Sequence, residues 1–299
     1  MTTSNGLLLV DKPAGVTSHD VVARVRRILD ERRVGHAGTL DPMATGLLVL
    51  AVGPSTRLLR FAQGETKEYE GVVTFGVATD SLDADGTVTE RHAVPALSSE
   101  AVNARAASIV GRQLQTPPMV SAIKVGGQRL HALARRGVVV EREPREVTIR
   151  AFTLAPTSEP DRWGFSVTCS AGTYVRVLLS DLAVSLGTVG HLSALRRTKS
   201  GAHRVEEASG LEELEEKVRD GAAILAPPRA FLSALASVEV TAEQEARIRQ
   251  GQRVELANLD GHEVAALRAS GELVAVLRRR DLTWQPVVVL PDDESPGPR

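Results

Sequence analysis

The sequence predicts an α+β fold that carries a second, smaller, β-rich domain at its C-terminal end. Two observations lead there. Through the first 230 residues, short strand patterns are interleaved with segments of helical spacing. From about Val238 the texture changes to brief strands separated by Gly and Asp. A length of 299 residues accommodates two domains. With 42% hydrophobic and 24% charged residues the composition is globular, which excludes a wholly disordered chain, a collagen-like repeat or a disulfide scaffold.

Leu7–Val10 reads as a short buried strand followed by the loop Asp11-Lys12-Pro13-Ala14-Gly15. Thr17 or Ser18 can cap a helix in which Val21, Val22, Val25, Ile28 and Leu29 keep helical spacing. The stretch 34–46 holds three glycines and a proline and is expected to be loop, leading into a strand over Leu47–Val52. Tyr69 to Val77 alternates as a strand. Asp83-Ala84-Asp85-Gly86 has turn chemistry; Ser81 and His92 stand where a calcium loop needs Asp and Glu. Ser98 or Ser99 can cap a helix reaching Gly111, and Val147–Ile149 and Gly164–Cys169 read as strands. An apolar helix follows Gly172 and stops near Gly187. Leu211–Asp220 reads as an acidic amphipathic helix and Ala222–Pro228 as a linker. The expected C-terminal strands are Val254–Leu256, Val264–Leu267, Leu273–Leu277 and Pro286–Leu290, with residues 291–299 expected to be disordered.

The longest apolar runs are far too short to cross a bilayer, and the first residues lack a basic n-region and a long h-region, so a cytoplasmic address is expected. Cys169 is the single cysteine and is expected to be a small buried apolar residue. The seven histidines include no pair at i, i+3 or i+4, so no metal site is expected. The net charge is −1, which by itself argues against a general nucleic-acid binder. The charge is uneven, however. Five Arg fall between Arg24 and Arg33, seven basic residues face three acidic ones over 124–150, and five face Asp181 alone over 174–204. Those runs suggest a localised anionic partner. Aromatic residues are only 3%, so shape-plus-phosphate recognition fits better than a stacking platform.

The loop holding Asp41 is the most informative stretch. A carboxylate on a glycine-rich loop can serve as nucleophile, general base, metal ligand or turn former. No Gly-Lys-Ser/Thr follows, and there is no Gly-x-Ser-x-Gly elbow, so the loop matches neither a phosphate-binding loop nor a hydrolase nucleophile turn.

Gly6 to Gly15 and Gly35-His36-Ala37-Gly38-Thr39-Leu40-Asp41-Pro42-Met43-Ala44-Thr45-Gly46 closely resemble the TruB-type tRNA pseudouridine-55 synthases. Support recurs at Lys67-Glu68-Tyr69, Thr79 to Gly86, Pro117-Pro118-Met119, Ser121 to Lys124, Gly172 to Arg176 and Leu195-Arg196-Arg197, so the likeness runs in order over about residues 6–225. The resemblance implies a catalytic domain over 1–230, built on a mixed, mainly antiparallel sheet flanked by helices, with an RNA-clamping insertion at about 116–149. It also implies a PUA-like RNA-binding domain over 231–291. The implied reaction is isomerisation of one uridine in the T-arm loop of tRNA, with no cofactor and with tRNA as the partner of a monomer. The family's aspartate falls on Asp41, the nucleophile or base. Its arginine falls on Arg176, which can clamp a carboxylate and favour its ionised form. Tyr69 matches the tyrosine that stacks on the uracil. His36, Lys12, Tyr174, Leu195, Lys124 and Arg129 are the implied substrate-binding residues, with Lys12 supporting either the loop or a phosphate. Val120 departs from the family's common tyrosine. Two rival readings are a non-catalytic tRNA-binding or folding module, which has no need of Asp41, and a carboxylate glycosidase, which needs a second acid such as Asp80, Asp83 or Asp85 near it.

Overall fold

The computed structural model describes residues 5–64, 66–121, 124–125, 128–129, 136, 138, 140–256 and 259–292. Strand β1 (Gly6–Lys12) leads into helix α1 (Ser18–Leu29). Thr17 accepts from the Asp20 N–H while the Asp20 carboxylate accepts from Thr17, so the helix opens on a capping box. The short β2 (Val34–His36) lies inside the stretch expected to be loop. It pairs with β3 (Thr45–Val52), which also pairs with β1. That pairing draws Val34 into the core and leaves residues 37–44 as the true loop.

From Gly46 onward every residue of β3 is buried. Leu48, Leu50 and Val52 pack with Val21, Val22 and Val25 of α1. Leu47, Val49 and Ala51 pack on the other side with Leu7, Phe231 and Leu232. A strand apolar at successive positions requires cover on both faces, and here it has it.

After α2 (Leu59–Gln63) and β4 (Lys67–Phe75), a hairpin of β5 (Val77–Thr79) and β6 (Val88–Arg91) carries the Asp83–Gly86 turn. Helix α3 (Ser99–Ile109), β7 (Gly111–Gln115), the paired β8 (Lys124–Val125) and β9 (Gln128–Arg129), and the long β10 (Arg145–Pro156) follow. Then come β11 (Arg162–Cys169), α4 (Val175–Ser185), β12 (Gly190–Ser200) and β13 (His203–Arg204). Gly187, at φ +80°, takes the left-handed turn that stops α4.

The main sheet runs β1-β3-β12-β4-β11-β10-β7, with β2 and β13 attached at β3 and β12. Only the β3–β12 contact is parallel, so the sheet is mixed and mainly antiparallel. Val73, Phe75 and Val167 bury one face against Val102 and Ala106 of α3 and Leu178, Leu179 and Leu182 of α4. Cys169 is buried in the same cluster.

Helix α5 (Leu211–Arg219) packs Leu211 and Leu214 near α1. Beyond it, β14 (Ala236–Glu239), β15 (Glu263–Leu267), β16 (Leu273–Arg280) and β17 (Thr283–Val289) form a separate four-stranded sheet. Two expectations for this region are corrected. Val254–Leu256 is not a strand, and only Val254 bridges, to Trp284. Ala242–Arg249 is a helix, α6, nucleated by a Thr241–Gln244 capping box although it buries only Ile248. Ala265, Val276, Val288 and Leu290 join the cluster behind β3, so the small sheet is part of that strand's cover. Among the described residues no helix is long and apolar enough to cross a membrane.

Candidate active site

Asp41 sits at the outer end of the 37–44 loop, which is pinned from four directions. Ser18, in the first turn of α1, accepts from the Leu40 N–H and donates to the Leu40 carbonyl. The Pro42 carbonyl receives the Lys12 ammonium at 3.1 Å and the Gly15 N–H at 2.9 Å. The Ala44 N–H closes a turn back to the Asp41 carbonyl. Arg197 donates to the Gly38 and Leu47 carbonyls. Leu40 and Ala44 are themselves core residues. The carboxylate is therefore held by backbone on a rigid frame.

Arg176, in the first turn of α4 and 3% exposed at its side chain, meets Asp41 edge to edge. Its Nε donates to Oδ2 at 2.9 Å and its Nη2 to Oδ1 at 3.1 Å. Its remaining donors reach the Ser81 carbonyl at 2.6 Å, the Val120 carbonyl at 2.9 Å and, at 3.4 Å, the Asp83 carboxylate. Four of its N–H groups thus have hydrogen-bond acceptors, and Asp83 adds an ion pair. Val120, where the family commonly has tyrosine, thus holds Arg176 through its backbone, a contact that no side chain changes. Gln115 grips the backbone just before Arg176, accepting from Tyr174 N–H at 2.7 Å and donating to the Tyr174 carbonyl at 3.1 Å.

Burial pushes the Asp41 carboxyl above the ordinary carboxylate range, and the Arg176 guanidinium opposes the shift. The clamp favours the ionised form, as expected, but desolvation is the larger effect.

Tyr69 is 8% exposed and packs with Leu40, Ala44 and Leu195. Burial raises its phenol, and the Arg197 guanidinium opposes the shift. His36 accepts the Gly38 N–H on Nδ1 at 3.3 Å, so the neutral ring carries its proton on Nε2; burial lowers its pKa and keeps it neutral. Burial raises the Tyr174 phenol too, with Ser121 opposing the shift. Met43, Thr45, Gly71, Phe165 and Leu195 line a groove of about 1040 Å³ that opens beside the loop. The side chain of Asp41 keeps about a third of its surface exposed, at 32%. The side chains of Lys124 and Arg129 lie outside the described residues, as does most of the 122–139 segment.

Lys12 is fully buried and spends its ammonium on the carbonyls of Pro13, Val16 and Pro42. Its ammonium thus braces the Asp41 loop through Pro42. Burial lowers its pKa to about 8 from the ordinary 10.5, Asp41 opposing. Between those values the unfolded chain holds a proton that the folded chain has released, so this group makes stability rise with pH from about 8 to 10.5. Urea unfolding across that window is expected to show the wild type gaining stability relative to Lys12→Met, since Cys169 and Tyr69, raised by burial, act in the opposite sense but equally in both chains.

Sequence reasoning missed Ser18, Gln115 and Arg197 as site builders, and it read Asp83 as a turn former or, in the rival glycosidase reading, as a second acid near Asp41, not as a partner of Arg176. The turn is there, with Gly86 N–H on the Asp83 carbonyl, but Asp83 is 5% exposed and faces Arg176. Only its spacing to Ser81 hinted at this.

A carboxylate held by a buried guanidinium, a tyrosine and an apolar wall thus meet at one end of the mixed sheet. Residues 26–175 match the model of the TruB family pseudouridylate synthase N-terminal domain, and residues 235–291 match that of the tRNA pseudouridine synthase II C-terminal region. A tRNA pseudouridine synthase B from Thermobifida fusca is 42% identical over 96% of this chain and 98% of its own length. One from Leifsonia xyli is 44% identical over 97% and 98%. A Cbf5-Nop10-Gar1 complex contains a chain similar in structure, with TM-score 0.72 and 25% identity, over 96% of this chain and 84% of that one. The chain belongs to the TruB family of pseudouridylate synthases.

Proposed function

We propose that the chain converts one uridine in the T-arm loop of tRNA, at position 55, to pseudouridine. The observation that carries this is Asp41: fixed by Arg176 through both oxygens and a third exposed, on the loop whose Met43 lines a groove that Leu195 also walls. The names of the curated relatives support tRNA as the substrate. The target nucleotide leaves its stack to enter, at a cost of a few kcal/mol. The Asp41 carboxylate starts the rearrangement as nucleophile or base. The bond from N1 to C1′ breaks, the uracil turns, and C5 bonds to C1′; the C5 hydrogen leaves as a proton and N1 gains one. Tyr69 stacks on the base, and its phenol assists proton movement. His36 meets the flipped-out region through Nε2, Tyr174 borders the pocket, and Lys124 and Arg129 hold phosphates from the basic segment. Residues 1–230 form the catalytic domain and residues 231–291 an RNA-binding domain of PUA type, working as a cytoplasmic monomer.

The test is tritium release from C5-labelled uridine in a T-arm stem-loop transcript. Release of one equivalent per transcript is expected, with none when cytidine replaces uridine at position 55. Tight binding with no release would favour the rival reading of a tRNA-binding or folding protein.

A further inference from the structure

We infer that Arg197 is a positioning residue that sets the placement of Tyr69 relative to Asp41. The inference rests on the proposed roles of those two residues. Arg197 lies on β12 and is paired in register with Tyr69 of β4 on one side and with Gly46 of β3 on the other. It therefore stands between the strand that carries the tyrosine and the strand that emerges from the Asp41 loop. Its side chain repeats that arrangement. Nε donates to the Leu47 carbonyl at 2.7 Å and Nη2 to the Gly38 carbonyl at 3.0 Å, so one guanidinium ties both ends of the loop. The cross-strand register sets the same group beside Tyr69, and its charge opposes the rise that burial imposes on the phenol.

Two features argue that this contact is selected for geometry. Arg197 is 2% exposed, and among the described residues no carboxylate pairs with it. A buried cation without a counter-ion is costly, and an apolar side chain of similar volume would pack there at less expense. The backbone also makes room for it. Gly46 sits at φ +99°, and a Cβ there would lie 2.3 Å from the Arg197 carbonyl oxygen and 2.8 Å from its nitrogen. Only glycine allows β3 and β12 to approach so closely. A planar fork can hold two carbonyls at fixed angles beside the phenol, whereas an ammonium cannot keep that arrangement.

The experiment uses the full chain with Arg197→Lys, Tyr69→Phe and the double variant, read by single-turnover tritium release and by tRNA binding. Arg197→Lys is expected to slow the single-turnover rate by roughly 100-fold, the scale of a small misplacement of reacting groups, with binding within threefold. The double variant is expected to be about as slow as the slower single variant, because both act through one contact. A readout outside catalysis is available because Tyr69 and Tyr174 are the only tyrosines. In a Tyr174→Phe background, tyrosinate absorbance reports Tyr69 alone, and Arg197→Gln is expected to move its titration to higher pH. If the arginine variants do not fold, the side-chain N–H signal of Arg197 in a nitrogen-15-labelled chain carries the test, and is expected to shift on Tyr69→Phe. An active Arg197→Lys, multiplicative effects in the double variant, an unmoved tyrosine titration or an unmoved Arg197 signal would each overturn the inference. A wild-type chain that releases no tritium would instead overturn the proposed function, and the titration and the Arg197 signal would still read the contact.

Discussion

Asp41→Asn is expected to bring tritium release below roughly a thousandth of the wild-type rate while leaving tRNA affinity within a few-fold. The amide is isosteric, so the loop keeps its shape and its bonds to Ser18, Lys12 and Gly15. What changes is the edge facing Arg176. One carboxylate oxygen becomes an NH₂ that points donors at a donor, and the negative charge is gone. Asp83 and the carbonyls of Ser81 and Val120 remain on the guanidinium, so the cation is not left unpaired and the fold is retained. Loss of turnover with intact folding isolates the chemistry. Near-normal release from Asp41→Asn would remove this aspartate from the reaction.

Arg176→Lys is the second large effect, expected to cost on the order of 100-fold or more in single-turnover rate. The guanidinium serves two carboxylate oxygens, two carbonyls and a second carboxylate with five N–H groups in one plane. An ammonium has three donors and no plane, so at least one of the four hydrogen-bonded acceptors loses its partner. The clamp is also what opposes the upward shift of the Asp41 carboxyl. Weakening it moves that carboxyl further up, so the fraction ionised at a given pH falls. The activity of Arg176→Lys is therefore expected to recover partly as pH is raised, which a merely misfolded variant would not do. A flat pH–rate profile, or full activity at neutral pH, would contradict this account.

Much of the fold could be read from the sequence where one local pattern decides the outcome. Thr17 with Asp20 spells a helix start, and the unbroken apolar run Leu47–Val52 spells a strand buried on both faces. Strand β12 escaped because its segment, Gly190–Ser200, carries Arg196, Arg197 and Lys199, which read as basic surface; Arg197 is in fact turned inward. Helix α6 escaped because only Ile248 is buried on it, so no apolar stripe betrayed it. At the site, Asp41, Tyr69 and Arg176 were marked by motif resemblance, and the structure gathers them at one end of the sheet. Asp83 and Arg197 fall within matching motifs but carry no role there, because turn chemistry and surface charge explain each of them locally. Their significance comes from partners supplied by distant strands and helices, which no local pattern encodes.

The two-sided burial of β3 also bears on how the molecule can be taken apart. Cutting the chain after the linker would strip Phe231, Leu232, Ala265, Val276 and Val288 from Leu7, Leu47, Val49 and Ala51, baring greasy sheet directly downstream of the Asp41 loop. A trimmed enzyme would thus need polar replacements on that face before it stayed in solution, and a chimera with a foreign tail would need one that fits the same four side chains.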